Sequence, residues 1–129
     1  MAKILIVDDS ALARRILRQT LESNGHAVLE AKDGPTALER FTQERPDLVL
    51  LDLVMEGMTG LETLQRIREI APDARVIIAT ADIQQATRAE AESTGACGYI
   101  TKPFKQAQVL EAVRRALKGG EDEVERNAA

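Results

Sequence analysis

Apolar and polar positions alternate along this chain in two distinct patterns. Short unbroken apolar runs occur at Ile4-Leu5-Ile6-Val7, Leu48-Val49-Leu50-Leu51 and Val76-Ile77-Ile78-Ala79. Their length and Val/Ile/Leu content suit strands, and apolarity on both alternating faces suits strands covered on both sides of a parallel sheet. With two weaker runs, strands are predicted at 3–8, 27–31, 47–52, 75–80 and 97–101. The second, Ala27-Val28-Leu29-Glu30, is more polar and reads as an edge strand.

Between these runs the spacing becomes helical. Ala13, Ile16, Leu17, Thr20 and Leu21 recur at i, i+3, i+4, i+7 and i+8, a single buried stripe, and Gly25 supplies a stop. Asp33-Gly34-Pro35 opens a second helix with Pro at its first position. Thr59-Gly60-Leu61-Glu62 matches a capping box, with Leu61, Leu64 and Ile67 on the buried face and Pro72 past the end. The last helix starts near 106 and turns Val109, Val113 and Leu117 inward. The fourth, 84–94, is Gln84-Gln85-Ala86-Thr87-Arg88-Ala89-Glu90-Ala91-Glu92-Ser93-Thr94, with no large apolar side chain. Alanine favours helix but buries little area, so this helix is expected to be weakly anchored and easily shifted.

Five β-α repeats within residues 1–118 predict an α/β fold, a doubly wound five-stranded parallel sheet of flavodoxin-like order 2-1-3-4-5. Ligands bind such sheets at the carboxyl ends of the strands, at the point where the strand order reverses, here between strands 1 and 3. Residues 119–129, Gly-Gly followed by acidic residues, are expected to form a disordered tail.

Composition narrows the function classes. Apolar residues make up 44% of the 129, enough for a core, but aromatics are only 2%, too few to stack on single-stranded nucleic acid. The net charge is -4, most of it in the tail, and no basic stripe suggests direct nucleic-acid binding. The lone Cys97 excludes an internal disulfide, and no apolar stretch has the length of a membrane span. A soluble cytoplasmic protein is the simplest expectation.

The polar residues that end the apolar runs carry the chemistry. Asp8 and Asp9 follow the first run, Asp52 the third, Thr80 the fourth, and Lys102 the fifth. Singly, each has an ordinary explanation as a cap, a turn residue, a strand threonine or a surface lysine. Together they place carboxylates, a hydroxyl and an ammonium at the same end of four strands. Mg²⁺ prefers hard oxygen ligands, which Asp8 and Asp9 can supply. A carboxylate can attack phosphorus to give an acyl phosphate, and Asp52 is the best placed for it. Lys102 offers charge for phosphate oxygens, and Thr80 a hydroxyl donor.

Ile6-Val7-Asp8-Asp9-Ser10, Leu50-Leu51-Asp52-Leu53-Val54-Met55, Gly60-Leu61-Glu62, Thr80-Ala81 and Tyr99-Ile100-Thr101-Lys102-Pro103-Phe104, in this order and spacing, resemble the receiver domains of two-component response regulators. The resemblance covers about residues 3–118. It implies that Asp52 accepts a phosphoryl group from a sensor histidine kinase or phosphotransfer protein. It also implies that Asp9, Asp52 and the Val54 carbonyl hold Mg²⁺ directly, with Asp8 acting mostly through water. Thr80 and Tyr99 would be a switch pair, and Lys102-Pro103 a cis peptide. The chain would assist its own phosphorylation and dephosphorylation without being an enzyme toward outside substrates. Its output would be a downstream partner protein on the face of helix 4, strand 5 and helix 5, as a monomer or a phosphorylation-dependent dimer, with no membrane insertion.

The chain departs from the family at Glu56, where Pro is usual, and Val54 and Asp82 occupy positions that tune dephosphorylation in the family. His26 reads as a surface turn residue, Cys97 as a small core residue, and Met55 and Met58 as loop packing. Three alternatives stand beside the switch: a receiver fragment of a longer regulator, a degenerate receiver that only binds, and a small Mg²⁺-dependent phosphohydrolase of the haloacid dehalogenase type. The last carries Asp-x-Asp after its first strand, where this chain has Asp8-Asp9-Ser10.

Overall fold

A computed structural model describes the backbone of residues 1–128 and the side chains of residues 1–118. Five strands, β1 (Lys3–Val7), β2 (Ala27–Ala31), β3 (Leu48–Leu51), β4 (Val76–Thr80) and β5 (Gly98–Thr101), alternate with five helices. The helices are α1 (Ala11–Glu22), α2 (Gly34–Glu44), α3 (Gly60–Ile70), α4 (Gln85–Thr94) and α5 (Gln106–Ala128). The strands form one parallel sheet in the order β2-β1-β3-β4-β5, as the alternation predicts.

The period of two along each strand divides the core. Leu5, Val7, Val49, Leu51, Val76 and Ile78 pack with Ala37, Phe41, Leu64, Ile67 and Ala91 from α2, α3 and α4. Ile4, Ile6, Leu48, Leu50, Ile77 and Ala79 pack on the other face with Leu17, Leu21, Val109 and Val113 from α1 and α5. The central strands need both covers, which is why they are apolar throughout.

Local signals mark most helix starts. Ser10 caps α1 by accepting from the Ala13 amide, and Asp33 caps α2 by accepting from Thr36. Thr59 and Glu62 make the reciprocal capping box of α3. Gly60 is needed there because a Cβ would overlap the Asp52 carbonyl and Leu53 Cα. α4 starts at Gln84 with no side-chain cap, and only Ala91 is buried.

The structure corrects several expectations. Ile16 lies at the margin of the α1 stripe, 40% exposed, while Leu12 is more exposed still. Among the described residues of α5 the buried positions are Val109, Val113 and Ala116, with Leu117 only partly covered. Cys97 is exposed, not a core residue, because it precedes β5 at the sheet edge. His26 is half-buried, its Nδ1 accepting from the Ala2 amide at 3.1 Å, so it ties the chain start to the turn before β2. The disordered tail expected at 119–129 falls outside the residues whose side chains are described and is not among these corrections. No helix among the described residues is long and apolar enough to cross a membrane.

Candidate functional site

Sheet register brings the acidic residues together. β1 and β3 pair Val7 with Leu51, so Asp8 and Asp52 leave the sheet side by side. The ladder extends one step further, with the Asp52 amide donating to the Val7 carbonyl at 2.9 Å and the Asp8 amide to the Ala31 carbonyl at 3.1 Å. On the far side, the Lys102 amide donates to the Thr80 carbonyl at 2.9 Å. The central strands keep Asp8 and Asp52 buried, 1% and 4% exposed, while Asp9 is open to solvent.

Each buried carboxylate has one oxygen occupied by backbone. Asp8 Oδ1 accepts from the Ser10 amide at 2.9 Å, and Asp52 Oδ1 from the Val54 amide at 3.1 Å. The other two oxygens share Lys102, whose Nζ lies 2.9 Å from Asp8 Oδ2 and 3.0 Å from Asp52 Oδ2. The contact to Asp52 is a hydrogen bond; that to Asp8 is an ion pair without hydrogen-bond alignment, leaving Asp8 Oδ2 a buried oxygen with no hydrogen bond.

Burial pushes the Asp8 carboxyl above its ordinary range, only partly opposed by the Ser10 amide and the Lys102 ammonium. Burial alone would lower Lys102, but its contacts with the Asp8 and Asp52 carboxylates raise it, so it stays charged. When ionised, three carboxylates face a single ammonium, which leaves the pocket under-neutralised.

That imbalance and the donor set suit a hard divalent cation. One oxygen each from Asp8, Asp9 and Asp52 lie within 4.8 Å of one another, and Asp8 Oδ2 is the buried acceptor such an ion would satisfy. The residues therefore fit Mg²⁺.

Thr80, fully buried at the end of β4, accepts a long hydrogen bond of 3.4 Å from the Asp82 amide at Oγ1. The Tyr99 hydroxyl donates to the Asp82 carbonyl at 2.5 Å. Both members of the expected switch pair thus hold the same residue of the β4–α4 loop. Tyr99 is half-buried, and the Arg88 guanidinium stands 5.4 Å from its ring centroid. Burial, then the Asp82 charge, raise the Tyr99 hydroxyl, keeping it a donor.

The remaining expectations fall around this centre. Lys102-Pro103 is cis. Val54 points its side chain to solvent beside Asp52, Glu56 is exposed, Met55 is buried, and Met58 packs against Gly34. Sequence reading passed over Arg14, which donates to the Asp8 carbonyl at 2.7 Å, and its partner Glu30. The only signal available was the polar end of β2, which faces the polar side of α1.

Comparison with known proteins agrees with this geometry. The sequence profile of the response regulator receiver domain matches residues 4–114. The chemotaxis protein CheY of Bacillus subtilis is 40% identical over 116 residues, covering 89% of this chain and 97% of the relative. Sporulation initiation phosphotransferase F of the same organism is 40% identical over 115 residues, covering 89% and 93%. The solved CheX-CheY-BeF3-Mg complex of Borrelia burgdorferi contains a chain that superposes with a TM-score of 0.84 at 33% identity, covering 86% of this chain and 85% of that one.

Proposed function

The chain belongs to the response regulator receiver family, whose members are phosphorylation-dependent signalling switches, and we propose that Asp52 is its phosphoacceptor. The observation that carries this assignment is the pairing of a buried Asp52 carboxylate with Lys102 Nζ, 3.0 Å away, inside a three-carboxylate pocket. The donor would be a phosphohistidine on a kinase or phosphotransfer protein. An Asp52 oxygen attacks phosphorus, the P–N bond breaks, and the imidazole leaves with the bonding pair, giving an acyl phosphate. Asp8, Asp9, Asp52 and the Val54 carbonyl would hold Mg²⁺, which when bound offsets the repulsion between carboxylates and phosphoryl oxygens.

The chain's own residues do the rest. The Val54 amide orients the Asp52 carboxylate through Oδ1. Lys102 exchanges its contact with Asp52 for the arriving phosphoryl oxygens. Thr80 releases the weak bond from the Asp82 amide and turns its hydroxyl toward the phosphoryl group. Because Tyr99 holds the carbonyl of that same residue, a shift of Asp82 is felt at the α4–β5–α5 face. An open groove of about 900 Å³ lies there, lined by Arg88, Glu92, Tyr99, Gln108, Glu111 and Arg115 among others, and a cytoplasmic partner protein is its proposed reader. In this reading the chain assists its own phosphorylation and acts on no outside substrate. The family match leaves the phosphohydrolase alternative without support.

The test is incubation with acetyl phosphate and Mg²⁺ followed by intact mass. The wild type gains one phosphoryl group and Asp52→Asn gains none. An Asp52→Asn variant labelled as fast as wild type overturns the assignment.

A further inference from the structure

We propose that Arg14 is a positioning residue for the metal pocket: held by Glu30, its guanidinium fixes the peptide of Asp8 and so aims the Asp8 carboxylate at a divalent cation. The inference rests on the Mg²⁺ reading above.

Asp8 lies one residue beyond β1, where the regular ladder ends. Its amide is still held by Ala31 of β2. Its carbonyl is held by Arg14 Nη1 at 2.7 Å, reaching back from the first turns of α1. The peptides on both sides of Asp8 are thereby pinned, and with the Ser10 amide on Oδ1 only Oδ2 is left facing the pocket. Arg14 is itself held. Its Nε donates to Glu30 Oε1 at 2.9 Å, while Arg18 Nε donates to Glu30 Oε2 at 2.6 Å. The Arg14 side chain is only 18% exposed, so this is a packed clamp between α1 and the edge strand, not a surface ion pair.

A guanidinium suits the task because its fork donates in two fixed directions at once, to a carbonyl and to a carboxylate. A lysine could satisfy one of them. Charge alone would work against the pocket, since a cation beside Asp8 repels a metal ion. Glu30, shared with Arg18, offsets part of the Arg14 charge and so weakens its field at the pocket while keeping its geometry. Partners that orient a metal ligand in this way change metal affinity by roughly 10- to 100-fold when removed.

The sign of the effect decides between positioning and plain electrostatics. Mg²⁺ binding is measured by titration calorimetry on wild type, Arg14→Met, Arg14→Lys and Glu30→Gln, with folding checked by circular dichroism and urea midpoint. Positioning predicts that Arg14→Met binds Mg²⁺ about 10-fold more weakly. Arg14→Lys recovers part of the loss, and Glu30→Gln also weakens binding. Folded Arg14→Met that binds Mg²⁺ as well as wild type, or more tightly, overturns the proposal. If Arg14→Met does not fold, unchanged Mg²⁺ affinity in both Arg14→Lys and Glu30→Gln overturns it. A wild type that binds no Mg²⁺ overturns the metal reading itself, a result distinct from equal binding by wild type and variant.

Discussion

The acidic pocket and helix α4 adjoin one another across the β4–α4 loop but are held very differently. At the pocket, Asp8 is tied through its amide, its carbonyl and one carboxylate oxygen, to β2, α1 and Ser10. Behind Asp52, α3 begins with a reciprocal capping box, seats Gly60 on the Asp52 carbonyl, and fully buries Leu64 and Ile67. α4 has no side-chain cap and buries Ala91 alone. Burying a leucine side chain contributes about 1.5–3 kcal/mol and each further methylene about 0.8, so α3 is anchored several times more strongly than α4. Phosphoryl chemistry needs groups held to fractions of an ångström. A readout must move for the few kcal/mol that one new contact supplies. The two regions have opposite requirements, and the packing meets each.

The comparison can be broken by experiment. The largest effect is expected for Leu64→Ala, which should lower unfolding free energy by about 2–5 kcal/mol in urea titrations. Ala91→Gly, at the only buried position of α4, should cost about 1 kcal/mol. Comparable losses would mean that α4 is anchored as firmly as α3.

Hydrogen exchange sharpens the contrast without mutation. Amides of Arg88–Ser93 should exchange at least about 10-fold faster than those of Leu64–Ile67, through local opening of α4. A single shared rate across both helices would show that they open only together.

The smallest effect concerns the clamp beside the pocket. Burial raises the Glu30 carboxyl, but the bonds from Arg18 and Arg14 outweigh it and hold the group below its ordinary value of 4.5. A depressed carboxylate contributes stability that is present above its unfolded value and lost as pH falls through the folded one. Glu30→Gln should therefore cost up to about 1 kcal/mol at neutral pH, as expected for a partly exposed pair, and nothing once the pH is well below 4.5. A difference that persists in acid would assign the effect to packing instead.

Much of the fold was legible because its signals are local. Apolar runs mark buried strands, Thr59 and Glu62 mark a helix start, and the missing large side chains of 84–94 mark a helix with little to bury. The pocket residues were legible because each lies at or within one residue of the end of an apolar run. Cys97 was misread because a small apolar-looking residue beside a strand can face either way, and only the sheet edge decides. Arg14 and Glu30 were missed because they lie 16 residues apart, and Glu30 ends only the short, weak run of the edge strand.

The order of residues along this chain determines which strands are buried, where the helices start, and which polar groups stand at the strand exits, since each depends on neighbours a few positions away. Tertiary structure alone decides that Lys102 bridges Asp8 and Asp52, that Thr80 and Tyr99 hold the same residue, Asp82, through its amide and its carbonyl, and that Arg14 holds the Asp8 carbonyl. These contacts join residues brought together by sheet register and loop path, distances that no local pattern encodes.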